Sequence, residues 1–384
     1  MHSVRKLILV LLLPFSSLSM ADTRDNALAL FFFAESAYPE LLTPAAPEIQ
    51  EIQGAYVRYY SDTEIYLGVQ GDNILAVGGS LGANVTSYGK LADLISVLDS
   101  DISDVLLSNR RAECSYYAEN RISSVLDIKR NILFAGSLQF TVEGEECIIN
   151  SNSIPNHDFN DSSASFATNV SAVNAEYRIP TTPAFAPSTT AISLTTDNAV
   201  LLNGVKVDLL AAGCFGVGDG KIGCNNINQP WRYDPMSPLA QFGTDQHNAH
   251  TQPDGSYHYH GNPQALFDQD PSSESPVIGF AADGFPLFGS FIDDGGQIRA
   301  ATSSFQLKAG SRPTGSGNPA GNYDGEFRDD YEYVAGSGDL DECNGMMRNG
   351  VYGYYVINQH PWILACYKGT PNASFNKSGG GGPP

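Results

Sequence analysis

Four of the seven histidines fall between His247 and His260, in the run HNAHTQPDGSYHYH. Imidazole nitrogens at that density are a donor set for a transition metal. Three neutral rings suit Zn, Cu, Fe or Ni, whereas Mg and Ca prefer oxygen ligands. With an open fourth position, such an ion supports Lewis-acid or hydrolytic chemistry. The competing reading of the same residues is a metal-free polar patch on an aromatic-rich strand, because an H-x-H pair alone is a weak signal.

Whether the rings converge depends on the elements that carry them. Side chains alternate across a strand, so an extended SYHYH places His258 and His260 on one face and Tyr257 and Tyr259 on the other. The third ring depends on the turn. If Pro253, Asp254 and Gly255 form a three-residue hairpin loop with glycine in the left-handed position, Gln252 pairs with Ser256 and His250 falls opposite His258. A two-residue loop would oppose His250 to a tyrosine and turn it to the other face. The three-residue loop therefore predicts a patch of His250, His258 and His260, while His247 has the wrong parity. Zinc or copper is the cofactor expected there.

Composition sets the context. The first residues, MHSVRKLILVLLLPFSSLSMA, have a basic start, an apolar run from Leu7 to Leu13 and a small-residue ending. They read as a secretory signal peptide over residues 1–21, giving a secreted or periplasmic protein. No later segment approaches the roughly 18 to 20 apolar residues of a membrane helix, so no membrane span is expected. The formal charge of the chain is −21, and loss of Arg5 and Lys6 with the leader makes it more negative by two. Such a surface disfavours nucleic acid as a partner. Six cysteines, at 114, 147, 214, 224, 343 and 366, suit disulfides in an oxidising compartment. Sequence proximity favours Cys114 with Cys147, Cys214 with Cys224 and Cys343 with Cys366.

Residues 22–100 read as a small α+β module. Asp25 to Ser36 and Gly89 to Ser100 have helical patterns, and the segment between Ala55 and Gly79 holds two or three β-rich runs. This part resembles an N-terminal module of secreted proteobacterial proteins through Ala34 to Leu41, Arg58 to Tyr60 and Tyr66 to Val69. From about Cys114 the chain becomes short β-prone runs with frequent Gly, Pro, Asn and Asp. ILFAGSLQFTV, AVLLNGVKVDLL and VYGYYVI are examples. A mainly β domain, sheet- or sandwich-like with long loops, is expected over residues 101–371, followed by a flexible Gly/Pro tail over residues 372–384.

Several separated motifs resemble, in order, the YHYH domain family of secreted, mostly bacterial proteins: Ile154 to Phe159, Leu201 to Asp208, Asn248 to Gly261, Gly279 to Gly289 and Tyr331 to Gly345. The resemblance covers roughly Cys114 to Pro371 and implies fold kinship and export, with no defined activity. It places His157 in the I-P-x-H position, which makes that residue the candidate fourth ligand or proton-transfer group. His360 reads as structural. Asp283, in a turn, is a candidate to orient a ligand imidazole, and one of Asp339, Asp341 and Glu342 is a candidate ligand or base.

No G-x-S-x-G, Walker loop or dinucleotide-binding glycine pattern stands out. The Asp-Gly steps within Asp293 to Gly296 and Tyr323 to Glu326 lack the calcium-loop ligand rhythm. The leading expectation is an exported metal-binding protein, with zinc-assisted hydrolysis or copper redox chemistry both compatible. The alternative is a non-enzymatic extracellular binding or surface-interaction module without metal.

Overall fold

The structure, a computed structural model, describes residues 50–52, 55–60, 65–70, 73–78, 86–90 and 100–377. The leader, the helix expected at Asp25 to Ser36 and most of the helix expected after Gly89 lie outside the described residues. The chain divides into two compact units between Ser100 and Asp101.

In the first unit β1 (Gln50–Ile52), β2 (Ala55–Tyr60), β3 (Ile65–Gln70), β4 (Asn73–Gly78) and β5 (Thr86–Lys90) form one sheet in sequential order. Each neighbouring pair is antiparallel. Gly89 and Lys90, read as the start of a helix, belong instead to β5. Pairing with β4 outweighs the local helical pattern there.

The second unit is mainly β. Its first sheet has the order β10-β9-β8-β7-β6, built from β6 (Ser100–Asp101), β7 (Asn120–Asp127), β8 (Ile132–Glu143), β9 (Glu146–Ser151) and β10 (Ala175–Pro180). In β8 the alternation is visible directly: Gly136, Leu138 and Phe140 are buried while Ala135, Ser137 and Gln139 face outward. One half-buried strand face is what a period of two produces.

A larger sheet positions the histidines. It contains β12 (Ala199–Leu201), β13 (Lys206–Val207), β14 (Ala249–Thr251), β15 (Tyr257–Tyr259), β16 (Val277–Ala281), β17 (Pro286–Phe288), β22 (Gly345–Arg348) and β23 (Val351–Tyr355), in the order β14-β15-β13-β12-β16-β17-β23-β22. The β13/β15 and β17/β23 pairs are parallel. Every residue of β12 through β17 is buried, which explains continuous apolar runs such as VIGFA in place of alternation. Gly279 has no room for a side chain, since a Cβ would lie 2.6 Å from the Val200 carbonyl oxygen.

The two sheets meet through Phe140 against Phe280, ring centroids 6.3 Å apart. Arg121 adds a hydrogen bond to the Leu202 carbonyl. Short pairs complete the unit: β11 (Thr190–Ala191) with β24 (Cys366–Tyr367), β18 (Phe291–Asp294) with β19 (Gln297–Ala300), and β20 (Phe305–Leu307) with β21 (Tyr331–Tyr333). Among the described residues the only helical pieces are 3-10 turns, and no helix is long and apolar enough to cross a membrane.

The flexible tail expected from residue 372 begins too early. Residues 373–375 form a 3-10 turn whose Phe375 is fully buried and packs on Tyr177, and Lys377 reaches Asp208. One aromatic ring and one lysine anchor that segment, which the compositional reading of the glycine run overlooked.

The cysteines pair as sequence proximity favours: Cys114 with Cys147, Cys214 with Cys224, and Cys343 with Cys366. The last pair ties the loop before β22 to β24. Replacing both of its cysteines by serine is expected to destabilise the protein by about 2–4 kcal/mol, because the unfolded chain regains loop entropy. Urea midpoints of wild type and variant at neutral pH measure this, and equal midpoints would contradict it.

Candidate metal centre

The β14–β15 hairpin builds the centre. Gln252 N–H donates to the Ser256 carbonyl at 2.9 Å, and Gly255 N–H donates to the Gln252 carbonyl at 2.9 Å. Gly255 has φ +85°, the left-handed conformation glycine adopts without steric cost. Asp254 Oδ1 accepts from Ser256 N–H at 2.9 Å and Ser256 Oγ–H at 2.7 Å, closing the turn. The loop is thus the three-residue type, and His250 stands directly opposite His258. His260 follows β15, with its backbone N–H donating to the Asn248 carbonyl at 2.9 Å.

All three rings turn to one face and meet at their Nε2 atoms. Nε2 of His260 lies 3.0 Å from Nε2 of His258 and 3.0 Å from Nε2 of His250. The ring planes are 61° to 82° apart, with centroids 4.7 to 4.8 Å apart. Two nitrogens bound to one tetrahedral zinc at about 2.0–2.1 Å lie about 3.3 Å apart, so these two separations are slightly shorter than in a loaded site, and all three donor atoms lie within 4.8 Å of one another. Exposure is 6 % for His250, 0 % for His258 and 1 % for His260.

The protonation pattern follows from the partners. His250 Nδ1 lies 2.8 Å from the Phe242 carbonyl oxygen, which can only accept, so Nδ1 carries the proton and Nε2 presents its lone pair. His260 Nε2 faces two nitrogens, and a single N–H can satisfy one of them. The Nδ1 atoms of His258 and His260 are buried without a partner. Burial, then the neighbouring imidazoles, holds the His258 and His260 rings well below the ordinary imidazole range, and burial also lowers His250. The neutral ring is the form that ligates.

His157 lies on the opposite side of β15. Its Nδ1 donates to the Asp158 carbonyl at 2.8 Å, and its Nε2 accepts from the Tyr259 hydroxyl at 2.6 Å. Its ring centroid is 3.9 Å from that of His247. Both nitrogens are occupied, so the expected fourth ligand is instead the hydrogen-bond partner of a buried tyrosine. The loop carrying it packs against the tyrosine face, and strand alternation keeps that face apart from the triad. On the same side Tyr257 donates to Asp245 at 2.8 Å, and burial pushes that carboxyl up to about 6.

The acidic candidates contact other groups. Asp283 accepts from the Tyr354 hydroxyl at 2.6 Å and Gly369 N–H at 2.9 Å, and Glu342 pairs with Lys368 at 2.6 Å. Asp339 holds Arg299 and Asp341 accepts from Cys343 N–H, Gly345 N–H and the Tyr352 hydroxyl. None of these partners is an imidazole of the triad. His360 donates to Asp234 at 2.9 Å and stacks on Tyr331, a structural role. Orientation of a triad ring comes from the Phe242 backbone carbonyl, which no side-chain pattern announces.

A polar network beside the triad also escaped sequence reasoning. Lys206 pairs in register with His258 and contacts Gln252 Oε1; Gln252 Nε2 and Lys377 both donate to Asp208. Lys206, Asp208 and Gln252 are all buried. The K-x-D alternation inside the apolar run LLNGVKVDLL was its available signal, two charged side chains on one face of a strand that is otherwise apolar.

Fold and site together define a mainly β, disulfide-linked protein with a buried trihistidine cluster on a hairpin. A protein-family model described as YHYH protein matches residues 176–369, just over half of the chain, and the chain belongs to that family. The match includes the Tyr257 to His260 motif but begins after the Ile154 to Phe159 segment, so it is shorter than the resemblance drawn from motifs. It does not extend to the N-terminal unit. No curated protein and no solved structure matches the chain.

Proposed function

We propose that the protein binds a single zinc or copper ion through Nε2 of His250, His258 and His260, and that it does so as an exported protein. The carrying observation is the meeting of three neutral imidazoles at their Nε2 atoms, one of them locked in the ligating tautomer. No arrangement of protons satisfies all three nitrogens, whereas a cation at the meeting point accepts three lone pairs. All-imidazole donors favour zinc or copper over magnesium or calcium. Three disulfides in place of free thiols support an oxidising compartment.

Burial bears on the kind of chemistry. Hydrolytic zinc sites need a fourth position that substrate and water reach, and the triad rings are almost sealed from solvent. The geometry therefore favours a tightly held ion, with a structural or electron-transfer role, over a hydrolytic one. A bound ion supplies Lewis-acid or one-electron chemistry; the chain supplies the neutral donors and excludes water.

Elemental analysis of protein purified from an oxidising compartment tests this. About one equivalent of zinc or copper is expected in wild type and in His157→Ala, and less than a tenth of that in the His258→Ala/His260→Ala double variant. A wild type that is metal-free as isolated and takes up neither ion on incubation would sink the proposal.

A further inference from the structure

Asp208 and Lys377 meet in the interior of the second unit, where both lose nearly all their water. The Asp208 side chain is 0 % exposed and that of Lys377 9 %. Lys377 Nζ contacts Asp208 Oδ2 and donates to the Leu194 carbonyl, while the Gln252 amide donates to the same Oδ2. Oδ1 of Asp208 has no hydrogen-bond partner. Other buried carboxylates of this unit are answered differently: Asp330 takes two nitrogens of Arg312, and Asp234 takes His360 and Trp362. A guanidinium keeps its charge, whereas an ammonium that gives up a proton becomes a nucleophile.

A second carboxyl is tied to both partners. Asp197 N–H donates to the Phe375 carbonyl at 2.9 Å, and Asn198 N–H donates to the Val207 carbonyl at 2.7 Å. Asp197 is thereby fixed between the segment that carries Lys377 and the strand end that carries Asp208. Its Oδ2 accepts from the Tyr177 hydroxyl at 3.1 Å, and its Oδ1 accepts no hydrogen bond. The Tyr177 ring packs on Phe375 with centroids 4.7 Å apart, an aromatic wall that keeps the site dry. Burial raises the Asp197 carboxyl above its ordinary range, against the pull of Lys206 and Lys377 and with the push of Asp208. A carboxyl in that state gives and takes protons. A desolvated ion pair is costly to hold, and two reacting groups fixed in contact meet as if at very high concentration.

We propose that Lys377 and Asp208 condense to an intramolecular isopeptide bond, with Asp197 as the proton carrier. Lys377 passes a proton to Asp197, and the freed Nζ lone pair attacks Cγ of Asp208 while the Gln252 amide holds Oδ2. The new C–N bond forms as one Cγ–O bond breaks. Two of the three ammonium protons leave with that oxygen as one water, the third stays on the amide nitrogen, and no oxidant or other co-reactant is consumed. The bond fastens the segment after β24 to the sheet that carries the triad, and unlike the three disulfides it survives reduction.

Mass spectrometry of the reduced full chain tests this. Wild type is expected to weigh one water less than its sequence. Trypsin should release residues 207–221 joined to residues 369–384, because an acylated Lys377 is no longer cut. Lys377→Arg keeps the ion pair and cannot form the amide, so its mass deficit should disappear. Asp197→Asn is expected to form the bond at least about 100-fold more slowly after refolding. Should either variant fail to fold, the wild-type mass and the branched peptide still decide. The proposal is overturned by a wild type of full mass that yields residues 207–221 and 369–377 as separate peptides, or by a branch at Lys206 in place of Lys377. An Asp197→Asn protein that closes the bond as fast as wild type overturns the role given to Asp197.

Discussion

The His260→Leu variant is expected to bind zinc or copper at least about 100-fold more weakly than wild type, while its metal-free form unfolds no earlier than metal-free wild type. His260 is the ring to remove because its Nε2 contacts both other Nε2 atoms. Losing even a group that merely orients a ligand weakens metal binding by about 10- to 100-fold, and a ligand counts for more.

The stability half of this prediction runs against the usual effect of altering a buried side chain, where truncation to alanine costs about 2–5 kcal/mol. Here the native ring carries a buried Nδ1 without a partner and an Nε2 in conflict with a neighbour. Removing an unsatisfied polar group recovers about 1–3 kcal/mol and offsets the poorer fit of leucine. Wild type saturated with metal, at about 1,000 times Kd, gains about 4 kcal/mol that the variant cannot. Denaturant midpoints with chelator and with added metal give both halves. A metal-free variant several kcal/mol less stable than metal-free wild type would mean that the rings are ordinary, well-satisfied core.

Metal-free wild type is also expected to lose stability steeply as pH falls below about 6.5. Burial lowers His157 to about 3, and lowers His258 and His260 well below the usual range. These rings stay neutral in the fold while the unfolded chain takes up protons near pH 6.5. The stability they contribute is complete above the unfolded value and is lost on acidification toward the folded values. Each contributes a slope of about 1.4 kcal/mol per pH unit.

Asp245 works in the other direction. Raised to about 6 by burial, it holds a proton in the fold that the unfolded chain has released between about pH 4 and 6, and so offsets one imidazole. The other buried groups divide similarly, with His247, His250 and His360 lowered and Asp197 and Asp283 raised. A net slope of about 3 kcal/mol per pH unit near pH 5.5 follows from the strongly shifted groups. Urea midpoints at pH 7, 6 and 5 in chelator measure it; a level profile, or one rising toward acid, would contradict it.

Much of this molecule was already determined by local chemistry in the sequence. Pro253, Asp254 and Gly255 specify a three-residue turn, the turn sets the register, and a period of two carries His250, His258 and His260 to one face. The β character of the second unit and the pairing of neighbouring cysteines were legible for the same reason, since each depends on residues close together along the chain. What only tertiary structure decided involves segments far apart in sequence. The His157 loop packs on the tyrosine side of β15, the Phe242 carbonyl selects the His250 tautomer, and Phe375 and Lys377 dock a segment that composition assigned to a mobile tail. Turn geometry and strand alternation act over a few residues, whereas the face on which a distant loop lands is set by which buried hydroxyl, ring or charge needs a partner there. No local pattern in the loop itself encodes that need.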